Sequence, residues 1–193
     1  MEHTYGARYG NIMICPLLCN DIEKLREWRN DSQLSKYLKP MSHISPKMQK
    51  EWYMKYLADN SCIFFSVYDL TLKSIVGALA IYNMKENTAE IGKIVIGDSR
   101  ARGKNIGYIA LVMAMKIGNE FFDFQTYLLD CHEDNVPALK TYVKAGFSKT
   151  GRHEFINGGY EIEMVIEDKM LHKKNTILDN IYVVANYQIL MKI

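Results

Sequence analysis

The stretch Ile94-Val95-Ile96-Gly97-Asp98-Ser99-Arg100-Ala101-Arg102-Gly103-Lys104-Asn105-Ile106-Gly107-Tyr108 decides how this chain is read. A β-branched run breaks into a basic, turn-forming loop, and the loop opens a helical pattern. The first-turn N–H groups of a helix have no partners within the helix and sit at the positive end of its dipole, so such a junction can hold a phosphate through backbone alone. Two familiar phosphate loops fail on spacing. For G-x-x-x-x-G-K-[ST], Gly97 lies one residue too far from Gly103-Lys104, and Asn105 stands where a hydroxyl is needed. G-x-G-x-x-G needs three glycines opening the helix, and the loop offers only Gly103 and Gly107. The loop is therefore neither a nucleoside triphosphatase loop nor a dinucleotide fingerprint.

Working outward toward the C-terminus, Tyr127-Leu128-Leu129-Asp130-Cys131 reads as a strand. Asn135-Val136-Pro137-Ala138-Leu139-Lys140-Thr141-Tyr142-Val143-Lys144-Ala145-Gly146-Phe147 then reads as a capped helix. Asn135, Ala138, Leu139 and Tyr142 share one helical face, Pro137 falls in the first turn, and Gly146 stops the helix.

Arg102-Gly103-Lys104-Asn105-Ile106-Gly107 resembles the R-x-x-G-x-G/A loop of the GCN5-related N-acetyltransferase (GNAT) superfamily. The segment from Asn135 to Phe147 is similar to that family's N-x-x-A-x-x-x-Y-x-x-x-G-F signature, with every named position filled. Asn105 replaces the first glycine of the loop, and asparagine is the side-chain-bearing residue that most readily takes a left-handed backbone. The resemblance implies an α+β (α/β) GNAT fold, in which a mixed, mostly antiparallel sheet of about seven strands is flanked by helices. It implies acetyl-CoA as co-substrate. Ile94, Val95 and Ile96 would pair with the pantetheine arm, Arg102, Gly103, Lys104, Asn105, Ile106, Gly107 and Tyr108 would wrap the pyrophosphate, and Asn135 would also face the cofactor.

The rest of the chain fits one domain. Its 193 residues, 48% of them hydrophobic, can bury a substantial core, and residues 1–170 are assigned to a single domain, with 171–193 as an extension. Strands are expected at 11–17, 62–68, 75–82, 89–96, 147–155 and 160–166, besides the one at 127–131. Helices are expected from Asn20-Asp21 to about 30, from Ser45-Pro46 onward, and over about 103–122, the last with Ile106, Ile109, Ala110, Met113, Ile117 and Phe121 inward. The apolar tail, 176–193, is too β-prone to be left in water. It packs either on its own subunit or on a neighbour, the second case giving a homodimer.

Other classes are disfavoured. No apolar run is long enough for a membrane span and the N-terminus does not open as a signal peptide, so a soluble, cytoplasmic protein is expected. Cys15, Cys19, Cys62 and Cys131 form no C-x-x-C pair, which argues against a zinc ribbon or disulfide framework. In Cys131-His132-Glu133-Asp134 consecutive strand residues face opposite ways, so no metal is expected. A net charge of +2, from 24 basic and 22 acidic residues, makes no case for a nucleic-acid partner.

Acetyl transfer to an amine requires a neutral amine, a polarised thioester and a proton for the departing thiolate. Tyr142 is the expected acid, because a phenol of pKa about 10 keeps its proton at neutral pH. A backbone N–H at the end of the Ile94-Val95-Ile96 strand is the expected oxyanion donor. Glu90 is the expected base, acting through water, and His43 is a second candidate on the acceptor side.

Leu25-Arg26-Glu27-Trp28-Arg29-Asn30-Asp31 resembles the W-R-N region of a GNAT branch. That branch acetylates ribosomal-protein N-termini, diamines, or 4-amino sugars on nucleotide carriers. The small-molecule amine acceptor expected is the nucleotide-sugar, with Trp28, Arg29 and His43 binding it and Arg26, Arg29 and Lys36 available to its diphosphate. A protein N-terminus or a polyamine is the alternative. A polyamine would ask for an acidic cluster, and Asp21, Glu23 and Glu27 supply only a mixed one. A non-catalytic CoA-binding or interaction module ranks below all of these.

Overall fold

A computed structural model describes residues 2–38 and 41–192. In chain order the elements are β1 (Gly6–Tyr9), β2 (Ile12–Pro16), α1 (Ile22–Asn30), α2 (Ser32–Ser35), α3 (Pro46–Ala58), β3 (Cys62–Asp69), β4 (Ser74–Lys85) and β5 (Thr88–Ile96). Then follow α4 (Ile106–Phe122), β6 (Thr126–His132), α5 (Val136–Ala145), β7 (Ser148–Glu154), β8 (Tyr160–Glu167), α6 (Asp168–Lys174) and β9 (Tyr182–Val184). All strands join one sheet in the order β7-β8-β6-β5-β4-β3-β2-β1-β9, and only β5 and β6 pair in parallel.

The mixed, mostly antiparallel sheet has nine strands rather than about seven. Of the two additions, which pair with each other, β1 has four residues, too few for an alternation pattern to register, and β9 forms within the tail already read as β-prone. β9 carries part of the apolar tail onto the sheet edge, and Leu190 beyond it packs with Met13 and Cys15.

The sheet has two unlike faces. On one, α4 lies across the strands, and residues from Ala110 to Met115 are completely buried on every side of the helix. An inward stripe alone was expected, but β1, β2, β4 and β5 line one flank while α5 and β9 cover others. The Lys116 ammonium ties the tail down by donating to the carbonyls of Leu178 (2.8 Å) and Ile181 (3.0 Å). On the other face, α1 and α3 cover Cys62, Phe64, Ala78 and Ala80, with Trp28, Trp52, Tyr82 and Val95 at the margin. Among the described residues no helix is long and apolar enough to cross a membrane.

Candidate active site

The sheet opens at its middle. β5 and β6 are in register only from Thr88 with Thr126 to Glu90 with Leu128. Beyond that, β6 continues to His132 on β8 alone while β5 follows β4. A bulge sharpens the divergence: Ala78 pairs with Val95 and Ala80 with Gly92, so one β4 residue faces two on β5, and Lys93 takes φ +52. An extra residue bends and twists the strand that carries it. Ile94, Val95 and Ile96 therefore run along a wedge whose inner backbone groups have no strand beside them.

The wedge ends at the start of α4. Gly97 and Asp98 donate to the Val76 carbonyl (2.9 and 3.2 Å), and the Asp98 carboxylate caps the next turn through Arg100 N–H (2.9 Å). Hydrogen bonds from Arg100 hold the Asp98 carboxyl down at about 2. The Arg102 guanidinium folds back to donate to the carbonyls of Ile96 (3.1 Å) and Gly97 (2.8 Å). Lys104 is exposed and makes no hydrogen bond or ion pair among the described residues. Gly103 has φ +74 and Asn105 has φ +59, so Asn105 adopts the left-handed turn expected of it. The helix begins at Ile106 rather than 103, because these two residues turn the chain first. A methyl group on Gly107 would meet only Ile96 Cγ1, at an ordinary 3.6 Å, so nothing within the chain demands glycine there.

α5 closes the wedge from the α4 side. Asn135 caps it, accepting from Ala138 N–H (3.4 Å), and Gly146 at φ +106 ends it. Lys144 donates to Asn105 Oδ1 (3.2 Å) and lies 4.3 Å over the Tyr108 ring, which pins α5 to the loop. Tyr142 is 8% exposed, and its hydroxyl has no hydrogen-bond partner among the described residues. Burial pushes the phenol pKa well above its ordinary value, and Cys131 and Tyr82 push it further. Tyr142 lies with the core on the α4 side of the sheet, and the other side is the opposite face.

That opposite face carries carboxylates. Glu90 sits across from Tyr82 and accepts from Asn83 Nδ2 (2.8 Å). With Leu128, Leu129, Asp130, Thr150, Glu163 and Met164 it lines a cavity of about 190 Å³. Burial raises the Asp130 carboxyl, and Glu161, Glu90 and Glu163 add to the rise while His153 opposes it. Four strands contribute to this cluster, which sequence reading missed. Its one sequence signal is Glu161-Ile162-Glu163, where alternation puts both glutamates on one face. Asp130, His153 and Glu161 each bring a donor atom within 4.8 Å of the others, but both imidazole nitrogens already face glutamate oxygens. The group is a hydrogen-bonded cluster in which His153 lies between Glu163 and Glu161, its proton held above the ordinary histidine value.

The W-R-N residues divide their roles. Trp28 lies over Gly97, so close that a β-carbon there would come within 2.1 Å of the indole. Asn30 clamps Ile44 by accepting from its N–H (2.9 Å) and donating to its carbonyl (3.0 Å), which Arg26 also reaches (3.0 Å). Arg26 otherwise pairs with Glu23, and Lys36 rests 4.4 Å over the Tyr37 ring. Arg29 contacts Met41 Sδ (2.9 Å), and burial lowers its pKa with no carboxylate beside it among the described residues. His43 is exposed and lines neither this cavity nor a second one of about 230 Å³ beside Trp52, Tyr56, Phe64 and Lys93.

A family model described as an acetyltransferase (GNAT) domain matches residues 11–148. No curated protein sequence matches the chain. Among solved structures, the spermidine N-acetyltransferase from Vibrio cholerae in complex with CoA and spermine superposes with a TM-score of 0.76. It is 21% identical, over 84% of this chain and 98% of that one. An acetyltransferase (GNAT family) from Bacillus anthracis gives 0.73 at 19% identity, over 85% and 99%. A GCN5-related N-acetyltransferase from Brucella melitensis gives 0.71 at 16%, over 89% and 81%. At these identities the likeness speaks for the fold.

Proposed function

The chain belongs to the GNAT acetyltransferase family and is an acetyl-CoA-dependent N-acetyltransferase, and on that premise we propose that its acceptor is a linear cationic amine of the polyamine class. The observation that carries this reading is the gathering of Glu90, Asp130, Glu161 and Glu163 beside the cavity next to the wedge. A chain of ammonium groups is complementary to that face, whereas a diphosphate would be repelled by it.

The cofactor side fits acetyl-CoA. The unpaired inner edge of β5 offers backbone groups for the amides of the pantetheine arm. The left-handed turn at Gly103 and Asn105 exposes the first N–H groups of α4, and the bare Gly107 lets a pyrophosphate approach them. Arg102 serves by holding the Ile96 and Gly97 carbonyls rather than by reaching out, and Lys104 is a cation of the loop without a partner among the described residues.

Chemistry then proceeds by direct attack. A carboxylate, Glu90 or Asp130 through water, takes the proton of the acceptor ammonium. The freed nitrogen attacks the acetyl carbonyl, whose oxygen is held by a backbone N–H of the splayed β5 end, and the C–S bond breaks. Tyr142 gives its proton, which a phenol holds at neutral pH, to the departing thiolate. The second proton of the attacking nitrogen, lost as the amide forms, passes through water to restore the phenol.

One observation favours a nucleotide-borne amino sugar as a second reading: the partly buried guanidinium of Arg29 has no carboxylate partner among the described residues. Of the three cations expected at a diphosphate, it alone is uncommitted, since Glu23 and Tyr37 occupy Arg26 and Lys36. Release of CoA thiol measured with spermidine, a 4-amino-sugar nucleotide and a peptide N-terminus decides between them. The polyamine reading expects spermidine to be turned over with the highest kcat/KM, and Asp130→Asn to raise its KM. Turnover of the sugar nucleotide without turnover of spermidine would overturn it.

A further inference from the structure

Within the acidic face His153 stands between two carboxylates of β8. Its Nδ1 is 3.1 Å from Glu163 Oε1 and its Nε2 is 3.2 Å from Glu161 Oε2. A neutral imidazole has one N–H and one lone pair, so it could bond one glutamate only by setting its lone pair against the other. Both contacts are favourable together only for the imidazolium. The charged groups that face it are Glu161 and Glu163 from β8 and Asp130 from β6, with Glu90 of β5 next beyond Asp130. His132 of β6, across from Glu161 in register, is stacked on Tyr37. Arg152, the neighbouring cation on β7, is turned onto the Tyr160 ring at 4.2 Å.

We infer that His153 is a resident counter-cation that competes with the acceptor's ammonium groups for Glu161 and Glu163, and so sets which amines bind and at what pH. The inference rests on the cationic-acceptor reading above. While protonated, His153 neutralises one unit of the cluster's charge and occupies two of its carboxylates, so a polycation must displace it or bind to what is left. Once deprotonated, it can hold only one glutamate, and the face becomes more negative by one charge. Hydrogen bonding to Glu163, and next to Glu161, holds the His153 proton above the ordinary histidine value. The gain in acceptor affinity therefore comes as pH rises through that raised value, at a pH where aliphatic amines are still charged. A monoamine, which needs one carboxylate, gains less than a polyamine. His153 acts through the glutamates and is a positioning residue for specificity.

The experiment is the pH profile of KM for spermidine and for butylamine, in the full-length wild type and in His153→Gln and His153→Arg. In the wild type, KM for spermidine should fall about three- to tenfold across the His153 titration, the size expected for one charge at this exposed distance. His153→Gln should remove the step and stay low, and His153→Arg should remove it and stay high. The split should appear in KM rather than kcat, and butylamine should show a smaller step. A wild-type step that persists in both variants overturns the inference while leaving the acceptor reading intact. Absence of spermidine turnover at every pH in all three proteins overturns the acceptor reading and this inference with it.

Discussion

The indole of Trp28 occupies the place where a side chain on Gly97 would be: a β-carbon built there comes 2.1 to 2.3 Å from three ring atoms. Trp28 belongs to α1 and Gly97 to the end of the wedge, so the acceptor-side helix and the start of the phosphate loop are keyed together. Gly97→Ala must push the indole away or bend the loop. It should cost about 1–3 kcal/mol in chemical denaturation, the range for overpacking, and should weaken acetyl-CoA binding in calorimetry. Trp28→Ala would remove the clash, and the double variant Trp28→Ala/Gly97→Ala should cost less than the sum of the two single changes.

The role of Tyr142 as acid has a test independent of acceptor identity. Tyr142→Phe keeps the ring that packs 6.1 Å from Phe147 and removes only the hydroxyl. Turnover should fall on the order of 10²-fold, with little change in acetyl-CoA affinity. An unchanged kcat would reject Tyr142 as the acid.

His3 supplies a pH signature of the fold rather than of catalysis. It is buried against Tyr5 and Phe65, donates from Nε2 to the Phe64 carbonyl (2.9 Å), and leaves Nδ1 without a partner among the described residues. Burial lowers its pKa to about 4. The unfolded chain takes up this proton near pH 6.5 and the folded chain does not, so stability is lost as pH falls between these values. Relative to His3→Gln, the wild type should lose about 1.4 kcal/mol per pH unit across that window in urea unfolding, and nothing above it.

The tail is expected to be structural. Asn175 donates to the Ala145 (2.9 Å) and Leu171 (2.7 Å) carbonyls, while Leu178, Ile181 and Leu190 are buried. A chain ending at Lys174 gives up those three apolar side chains at about 1.5–3 kcal/mol each and leaves β1 as a bare edge. Its thermal midpoint should drop by many degrees, or the protein should aggregate on expression. A truncated chain of unchanged stability would refute this.

The parts of the candidate site legible in sequence are those encoded by neighbours along the chain. Strand, loop and helix lie consecutively from Ile94 to Tyr108, and the face shared by Asn135, Ala138 and Tyr142 follows from helical spacing. The left-handed Asn105 is the same kind of inference, since local backbone preference settles it. The acidic face was not legible because Glu90, Asp130, Glu161 and Glu163 come from three strands separated by two helices. Only register brings them together, with Asp130 opposite Glu163 and Tyr82 opposite Glu90. His153 could not be paired with its glutamates before the β7–β8 register was known. Trp28 had no sequence sign that its contact was with Gly97.

By itself the sequence determined the order of the strands from β2 to β8 and of the longer helices between them, the turn that opens α4 and the helix that presents Tyr142. Those depend on φ/ψ preferences and on hydrophobic periods of a few residues, which act at short range. Tertiary structure alone decided the wedge, the charge of the face beside it and the fate of the tail. Each depends on which backbone edges and which side chains are brought close across the sheet, and cross-strand register places in contact residues that the chain holds tens of positions apart.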